Sequence, residues 1–228
     1  SIEKAVEMIH LAKEASVDAV KFQTAVPELV MTKEAVKAEY QFKSTGINES
    51  QLEMAKKIHL SLNAYEKLKE ECDKHDIEFM STAFDDLSIQ ALKKLRPKRY
   101  KIPSGEITNL NYLRQIGTLG KPIIMSTGMA TLEEVRVALC ILTEAGASKD
   151  SITILHCNTE YPTPMKDVNL KAMLTIGDEL GVAVGYSDHT LSLAVPLGSV
   201  AIGATIIEKH FTLDRNMEGP DHKASLEP

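Results

Sequence analysis

The sequence lacks an excess of positive charge, an apolar run long enough to cross a bilayer, and enough cysteine for a disulfide framework. Its 26 Lys and Arg stand against 32 Asp and Glu, leaving a formal net charge of −6 with the two signs interspersed. Such a chain is not built to hold nucleic acid or an anionic membrane. No apolar run approaches the roughly 18–20 residues that span a bilayer, and no signal peptide is visible at the start. Cys72, Cys140 and Cys157 are widely spaced and read as reduced thiols, so a cytoplasmic setting is expected. Low-complexity segments and linkers are missing too. So is any Gly-rich phosphate loop following a strand, which argues against a doubly wound dinucleotide-binding sheet. The remainder, 43% apolar and 25% charged over 228 residues, suits one large globular domain with a sizeable core.

What is present is a regular alternation of strand-like and helix-like segments. Strands are expected at residues 17–23, 77–82, 99–102, 122–126, 151–156, 182–186 and 204–210. From the second onward they start about 22, 23, 29, 31 and 22 residues apart, the spacing of βα units. Between them lie amphipathic runs such as "DDLSIQALKKL" (85–95) and "TLEEVRVALCILTEAG" (131–146). The second opens with Thr131 and Glu134 in capping-box spacing and closes on Gly146. This alternation implies a parallel sheet. The chain begins in a helix whose apolar face is Ile2, Ala5, Val6, Ile9, Ala12 and Ala15, and a leading helix implies a strand before it. The expected fold class is therefore α/β, a (β/α)8 TIM barrel lacking its first strand in this chain, as a single domain over residues 1–228. Between the first two strands, "NESQLEMAKKIHLS" and "NAYEKLKEECDKHD" read as helices. "PELVMTKEAVKAEYQFKSTGI" reads as a long loop or small subdomain, the kind of insertion that shapes an active-site mouth.

Polar residues fall where barrel strands should be apolar. In "VKFQT", alternation puts Val20 and Phe22 toward the helices and Lys21 and Gln23 inward; in "IIEKHF", Ile206, Glu208 and His210 share one face and Ile207 and Lys209 the other. Inward charges are costly unless paired, hydrated or bound to ligand, and the C-terminal strand ends are where barrel enzymes keep their chemistry. Thr82, Lys101, Ser104, Ser126, Asn158, Tyr161 and Ser187 all lie at such ends. Hydroxyls and lysines there, with backbone N–H groups near Gly105 and Gly128, would cradle a phosphate. Singly, each Ser or Thr is more often a cap or turn former; together they point to a site. "VGYSDHTLS" (184–192) and "ATIIEKHFT" (204–212) each place a histidine after an apolar run. The residues alone leave His189 and His210 balanced between surface histidines and ligands for Mn²⁺, Mg²⁺, Co²⁺ or Zn²⁺. His10, His59 and His75 fall in helices or at their ends and read as surface residues, and His156 reads equally as a core residue or a ligand.

The motifs "VDAVKFQT", "YKIPSGE", "IMSTGMAT", "HCNTEYPTP", "VGYSDHT", "IIEKHFT" and "GPDHKASLEP", in this order, resemble the sialic acid synthase family. That resemblance implies a (β/α)8 catalytic barrel that condenses phosphoenolpyruvate with an N-acylated mannosamine-type sugar. It implies His189 and His210 as ligands of a divalent metal, with Mn²⁺ expected and Mg²⁺ or Co²⁺ as alternatives. It assigns Lys101, Ser104, Thr82, Ser126, Asn158 and Ser187 to phosphoenolpyruvate, with Lys21 nearby, and Gln23, Tyr161 and Asp221 to the sugar. Glu208 and Glu106 are candidates for water activation or proton transfer. The family's first strand would precede residue 1, and its C-terminal antifreeze-like domain, which completes the partner's sugar site in a swapped homodimer, would follow residue 228. The first expectation is N-acetylmannosamine as acceptor and N-acetylneuraminate as product, in surface-glycan biosynthesis. A 2,4-diacetamido-trideoxy sugar giving a legionaminic- or pseudaminic-type acid is the alternative. A Schiff-base aldolase using Lys21 or Lys101 and a non-catalytic sugar-binding barrel are the competing readings.

Overall fold

A computed structural model describes residues 1–46 and 49–228, with the backbone alone for 43–45. The chain forms two compact units. The first comprises Ser1–Lys98, Phe211–His222 and Glu227–Pro228; the second comprises Arg99–His210 and Lys223–Leu226.

In the first unit, helix α1 (Ile2–Glu14) buries Ala5, Ile9 and Ala12, the centre of the apolar face read from the sequence. Strand β1 (Ala19–Thr24) pairs in parallel with β2 (Glu78–Ala83). Between them run α2 (Pro27–Val30), α3 (Glu39–Thr45), α4 (Gln51–Ile58) and α5 (Ala64–Lys74), and α6 (Asp86–Leu95) follows β2. The expected loop thus contains two short helices; its last residue Ile47, and Asn48 at the start of the next expected helix, lie outside the described residues. Register sorts the strand faces as alternation demands. Val20 and Phe22 lie with Phe79 and Ser81, while Lys21 and Gln23 lie with Met80 and Thr82. Phe22 stacks on Phe79 with ring centroids 5.8 Å apart.

The second unit repeats a strand–helix pattern four times and ends on a fifth strand: β3 (Tyr100–Ile102), α7 (Leu110–Gly117), β4 (Ile123–Ser126), α8 (Leu132–Glu144), β5 (Ile152–Cys157), α9 (Lys171–Leu180), β6 (Ala183–Asp188), α10 (Ala194–Ala201) and β7 (Ile207–Lys209). Its strands pair in parallel in chain order, as short right-handed crossovers dictate. Helix α8 starts on the expected capping box: Thr131 Oγ1 accepts from Glu134 N, and Glu134 Oε2 accepts from Thr131 N, worth about 1 kcal/mol. Val168, Met173, Tyr186, Val195 and Ala204 form a buried cluster against β6, and burying Met173 fully contributes about 1.5–3 kcal/mol. Gly185 is required by close approach, since a Cβ there would stand 2.4 Å from the Ile206 carbonyl oxygen and 2.6 Å from Leu155.

The last strand is the main difference from expectation, spanning Ile207–Lys209 rather than 204–210. The reason lies at Thr205: its backbone N–H and its hydroxyl both donate to the Val184 carbonyl, at 2.8 and 2.9 Å. Doubling up on one acceptor delays a regular ladder until Tyr186 pairs with Ile207. Among the described residues seven strands are seen, the number expected.

Candidate active site

The site is built from the strand register of the second unit. Lys101 shares a face of the sheet with Ile124 and Ser126, Ser126 aligns with Leu155, Cys157 with Ser187, and Ser187 with Glu208. Period-two alternation therefore brings Lys101, Ser126, Cys157, Ser187 and Glu208 to one side. The Lys101 ammonium, 3% exposed, donates to Ser126 Oγ at 2.6 Å and to the Ile102 carbonyl at 3.1 Å. It stands 3.7 Å from Glu208 Oε1, and the same oxygen accepts from the Ser187 hydroxyl at 2.9 Å. A carbonyl and a hydroxyl accept from the Lys101 ammonium, and a carboxylate stands beside it.

Ser104, in the turn after β3, brings a second group to this end. Its Oγ accepts from Gly128 N at 2.8 Å and lies 3.3 Å from Cys157 Sγ. Gly128 is here for space: a Cβ would stand 2.5 Å from Thr159 Cγ2, 3.0 Å from Ser104 Oγ and 3.1 Å from Cys157 Sγ. Glu106, one of the expected acid–base candidates, follows Ser104 in the same turn. Its carboxylate accepts from the side chain of Asn109 at 2.7 Å, and Asn109 caps α7 through Tyr112 N at 3.2 Å.

His189 and His210 do come together, with ring centroids 5.2 Å apart and edge to face. Tyr161 lies against both, at 4.2 Å from His189 and 5.4 Å from His210. His189 is buried, and its Nδ1 is 2.6 Å from the Asn158 carbonyl. A carbonyl only accepts, so Nδ1 carries the proton and the ring lone pair sits on Nε2. Backbone-fixed tautomers of this kind are how metal-ligating histidines are oriented, so this pair fits a divalent cation. No third His, Cys, Asp or Glu joins them in a compact donor set among the described residues. Two protein ligands would leave positions for water or substrate. Asn158 itself donates from Nδ2 to the Asp167 carbonyl at 2.8 Å, while its Oδ1 is buried with no hydrogen-bond partner. An orphaned acceptor there calls for a donor such as a hydroxyl or bound water.

His156 and Cys157 are neighbours on β5 and point to opposite faces. His156 Nε2 donates to the Val168 carbonyl at 2.9 Å, and burial pushes its pKa down. His156 is thus a hydrogen-bonded core residue, the bland half of what its sequence context allowed. The first unit holds the remaining candidates. Thr82 is buried and its hydroxyl has no hydrogen-bond partner, Gln23 is exposed, and Lys21 is half-buried. Asp221 is close to the Tyr40 hydroxyl, which donates to it at 3.4 Å, and burial raises the Asp221 pKa above the ordinary 3.8.

Sequence reasoning missed one feature of this region. Lys209 donates to Asp188 Oδ2 at 2.5 Å and to the Thr190 carbonyl at 2.7 Å, on the face opposite Ser187 and Glu208. The signal was available: "SDH" at 187–189 and "EKH" at 208–210 pair in register as Ser–Glu, then Asp–Lys.

Comparison with known proteins gives the family. The chain is 51% identical over 222 residues to an N,N'-diacetyllegionaminic acid synthase of Campylobacter jejuni, covering 97% of this chain and 66% of that protein. It is 46% identical over 229 residues to a protein of the same name from Legionella pneumophila, covering 100% of this chain and 64% of that one. The chain thus spans about two thirds of the length of the curated relatives it matches. Among solved structures, the N-acetylneuraminic acid synthetase of Leptospira borgpetersenii in complex with citrate superimposes with a TM-score of 0.85 at 31% identity, over 100% of this chain and 74% of that one. The NeuB family pattern matches residues 8–228, a span that contains every strand and every site residue described above, and the chain belongs to that family.

Proposed function

We propose that this chain carries the catalytic barrel of a phosphoenolpyruvate-dependent synthase of nine-carbon 2-keto acids, with a 2,4-diacetamido-trideoxy sugar as acceptor and N,N'-diacetyllegionaminate as product. The observation that carries the reaction class is the buried Lys101, held by Ser126 and beside Glu208 at the strand ends. The acceptor rests on the relatives: identities of 51% and 46% to two N,N'-diacetyllegionaminic acid synthases, against 31% to the N-acetylneuraminic acid synthetase. These favour the diacetamido sugar over N-acetylmannosamine, the first expectation from the motifs. The closed (β/α)8 barrel belongs to the same proposal, supported by the parallel βα repeat and by the fold of that synthetase.

In this reading C3 of phosphoenolpyruvate forms a bond to the aldehyde carbon of the open-chain sugar, water adds at C2, and phosphate leaves by C–O cleavage. Lys101 and the hydroxyls of Ser104, Ser126 and Ser187 hold the negative charge of phosphoenolpyruvate, each well-placed donor worth about 3–4 kcal/mol where charge develops. Glu208, hydrogen-bonded to Ser187 and beside Lys101, is placed to take the proton of the attacking water. A divalent cation held by His189 and His210, Mn²⁺ foremost, would supply Lewis acidity toward the aldehyde oxygen. Tyr161 packs against both rings and limits their rotation. Asn158 orients His189 through its carbonyl. The Ser126 and Ile102 acceptors on Lys101 and the neighbouring Glu208 carboxylate weigh against a Schiff-base aldolase.

The test is phosphate release from phosphoenolpyruvate with Mn²⁺ or with EDTA, offering the diacetamido-trideoxy sugar and N-acetylmannosamine in parallel. Metal-dependent release with the diacetamido sugar is expected. Release with N-acetylmannosamine alone would move the acceptor back to the first expectation. No release from folded, metal-loaded protein would favour a sugar-binding role without turnover.

A further inference from the structure

Three side chains far from the substrate argument converge in the first unit. His10 on α1 and Glu71 on α5 approach with His10 Nε2 3.9 Å from Glu71 Oε2, and His75, the residue capping α5, has its Nε2 4.0 Å from the same oxygen. The two imidazole centroids are 4.2 Å apart, tilted by 51°. Among the described residues this is the one group of three or more His, Cys, Asp or Glu side chains whose ligand atoms all lie within 4.8 Å of one another. None of the three is a fully exposed surface residue. All are half-buried, and the His10 and His75 side chains keep the surface position expected of them.

Two details distinguish this cluster from an ordinary surface pairing. His10 Nε2 is buried and has no hydrogen-bond partner, a costly state for a polar atom. At 3.9 Å the Glu71 oxygen is too far for a hydrogen bond, yet near enough to share a cation. A four-coordinate metal with bonds of about 2.0–2.2 Å sets its ligand atoms about 3.4 Å apart, so small side-chain rotations close the gap. Glu71 and His75 are four residues apart and project from one helical face. Glu71 spends its other oxygen, Oε1, on Lys74 at 2.7 Å, which leaves Oε2 as the atom facing both rings. The Lys74 ammonium is also the main reason the Glu71 pKa lies below the usual carboxylate value, so the ligand is ionised.

We propose that His10, Glu71 and His75 form a second metal site, separate from the His189–His210 pair, that takes Zn²⁺ and ties α1 to α5. Two imidazoles and one carboxylate with a water in the fourth position are a zinc donor set. The site's role is structural: cation binding satisfies the orphaned His10 nitrogen and cross-links two helices separated by about 60 residues of chain.

The test uses the His189→Ala/His210→Ala double variant, so that failure of the proposed catalytic reading cannot be mistaken for failure of this one. Titrated with Zn²⁺ in a calorimeter, it is expected to bind one ion per chain. Adding His10→Gln and His75→Gln should abolish that binding or weaken it beyond about 100-fold, the upper range for losing a mere supporting contact. In the same double-alanine background Zn²⁺ should raise the melting temperature, and adding His10→Gln alone should remove most of the rise. Stoichiometric Zn²⁺ binding that survives both glutamine substitutions, or the absence of Zn²⁺ binding from the folded double-alanine variant, would overturn the proposal.

Discussion

The second unit carries one lysine–carboxylate pair on each face of its strands, Lys209 of β7 with Asp188 of β6 and Lys101 of β3 with Glu208 of β7, and the two pairs are built differently. On one face Lys209 meets Asp188 at 2.5 Å, with side chains 10% and 0% exposed. The pair is closed: Lys209 also holds the Thr190 carbonyl, and Asp188 Oδ1 accepts from Thr190 N at 2.9 Å. On the other face Lys101 and Glu208 stand 3.7 Å apart, each leaning on a serine hydroxyl. A desolvated pair stabilises only when its geometry is tight and its remaining groups are satisfied. The first pair meets that condition and serves the fold. The second is wider, with Ser126 and Ser187 hydroxyls on its two partners, and it is the pair to which the proposed reading gives phosphoenolpyruvate.

If that contrast is right, the faces separate stability from chemistry. The largest effect is expected at Lys209→Met, which leaves Asp188 buried and unpaired: it should cost about 3–5 kcal/mol of folding free energy in a denaturant titration, with turnover per folded molecule retained. Lys101→Met should reverse the pattern, lowering phosphate release about 10²–10³-fold with a much smaller change in melting temperature. An activity loss in Lys209→Met as deep as that in Lys101→Met would erase the distinction. Gly128→Ala sharpens it, because its new methyl crowds Thr159, Ser104 and Cys157. Overpacking of about 1–3 kcal/mol should displace Ser104 and appear as a raised KM for phosphoenolpyruvate. The smallest effect concerns a third carboxylate, Asp221, which has a tyrosine hydroxyl beside it where the strand pairs have lysine. Its pKa is raised by burial, so the folded state prefers the neutral acid. That preference is fully present below the unfolded value near 3.8 and is lost as pH rises through the folded one. Asp221→Asn should therefore melt higher than the parent at neutral pH, and the gap should close as the pH is lowered toward 3.8.

Much of this was legible in the sequence because period and spacing carry it. The βα rhythm located every strand, the Thr131–Glu134 capping box marked the start of α8, and alternation in "VKFQT" and "IIEKHF" separated Lys21 and Gln23 from Val20 and Phe22, and Glu208 from Lys209, as the register does. What escaped depended on contacts between strands. Nothing within "ATIIEKHFT" reveals that Thr205 uses both its donors on Val184, so β7 came out shorter than expected. The bond from Asn109 to the Glu106 carboxylate is likewise a contact that period and spacing do not reveal. His10 and His75 are surface residues as expected, but a helix sequence does not say which helix it packs on, and their convergence with Glu71 exists only in the folded chain. The Asp188–Lys209 pair needed the β6–β7 register, which the sequence suggests but does not fix.

The most direct test is calorimetric binding of phosphoenolpyruvate alone, without sugar, to the parent protein, Lys101→Met and Lys209→Met under conditions where all three are folded. The account predicts binding to the parent and to Lys209→Met with similar affinity, and loss of binding in Lys101→Met. Equal binding by parent and Lys101→Met would contradict it, and the buried lysine at the end of β3 would then be an element of the fold like its counterpart on the opposite face.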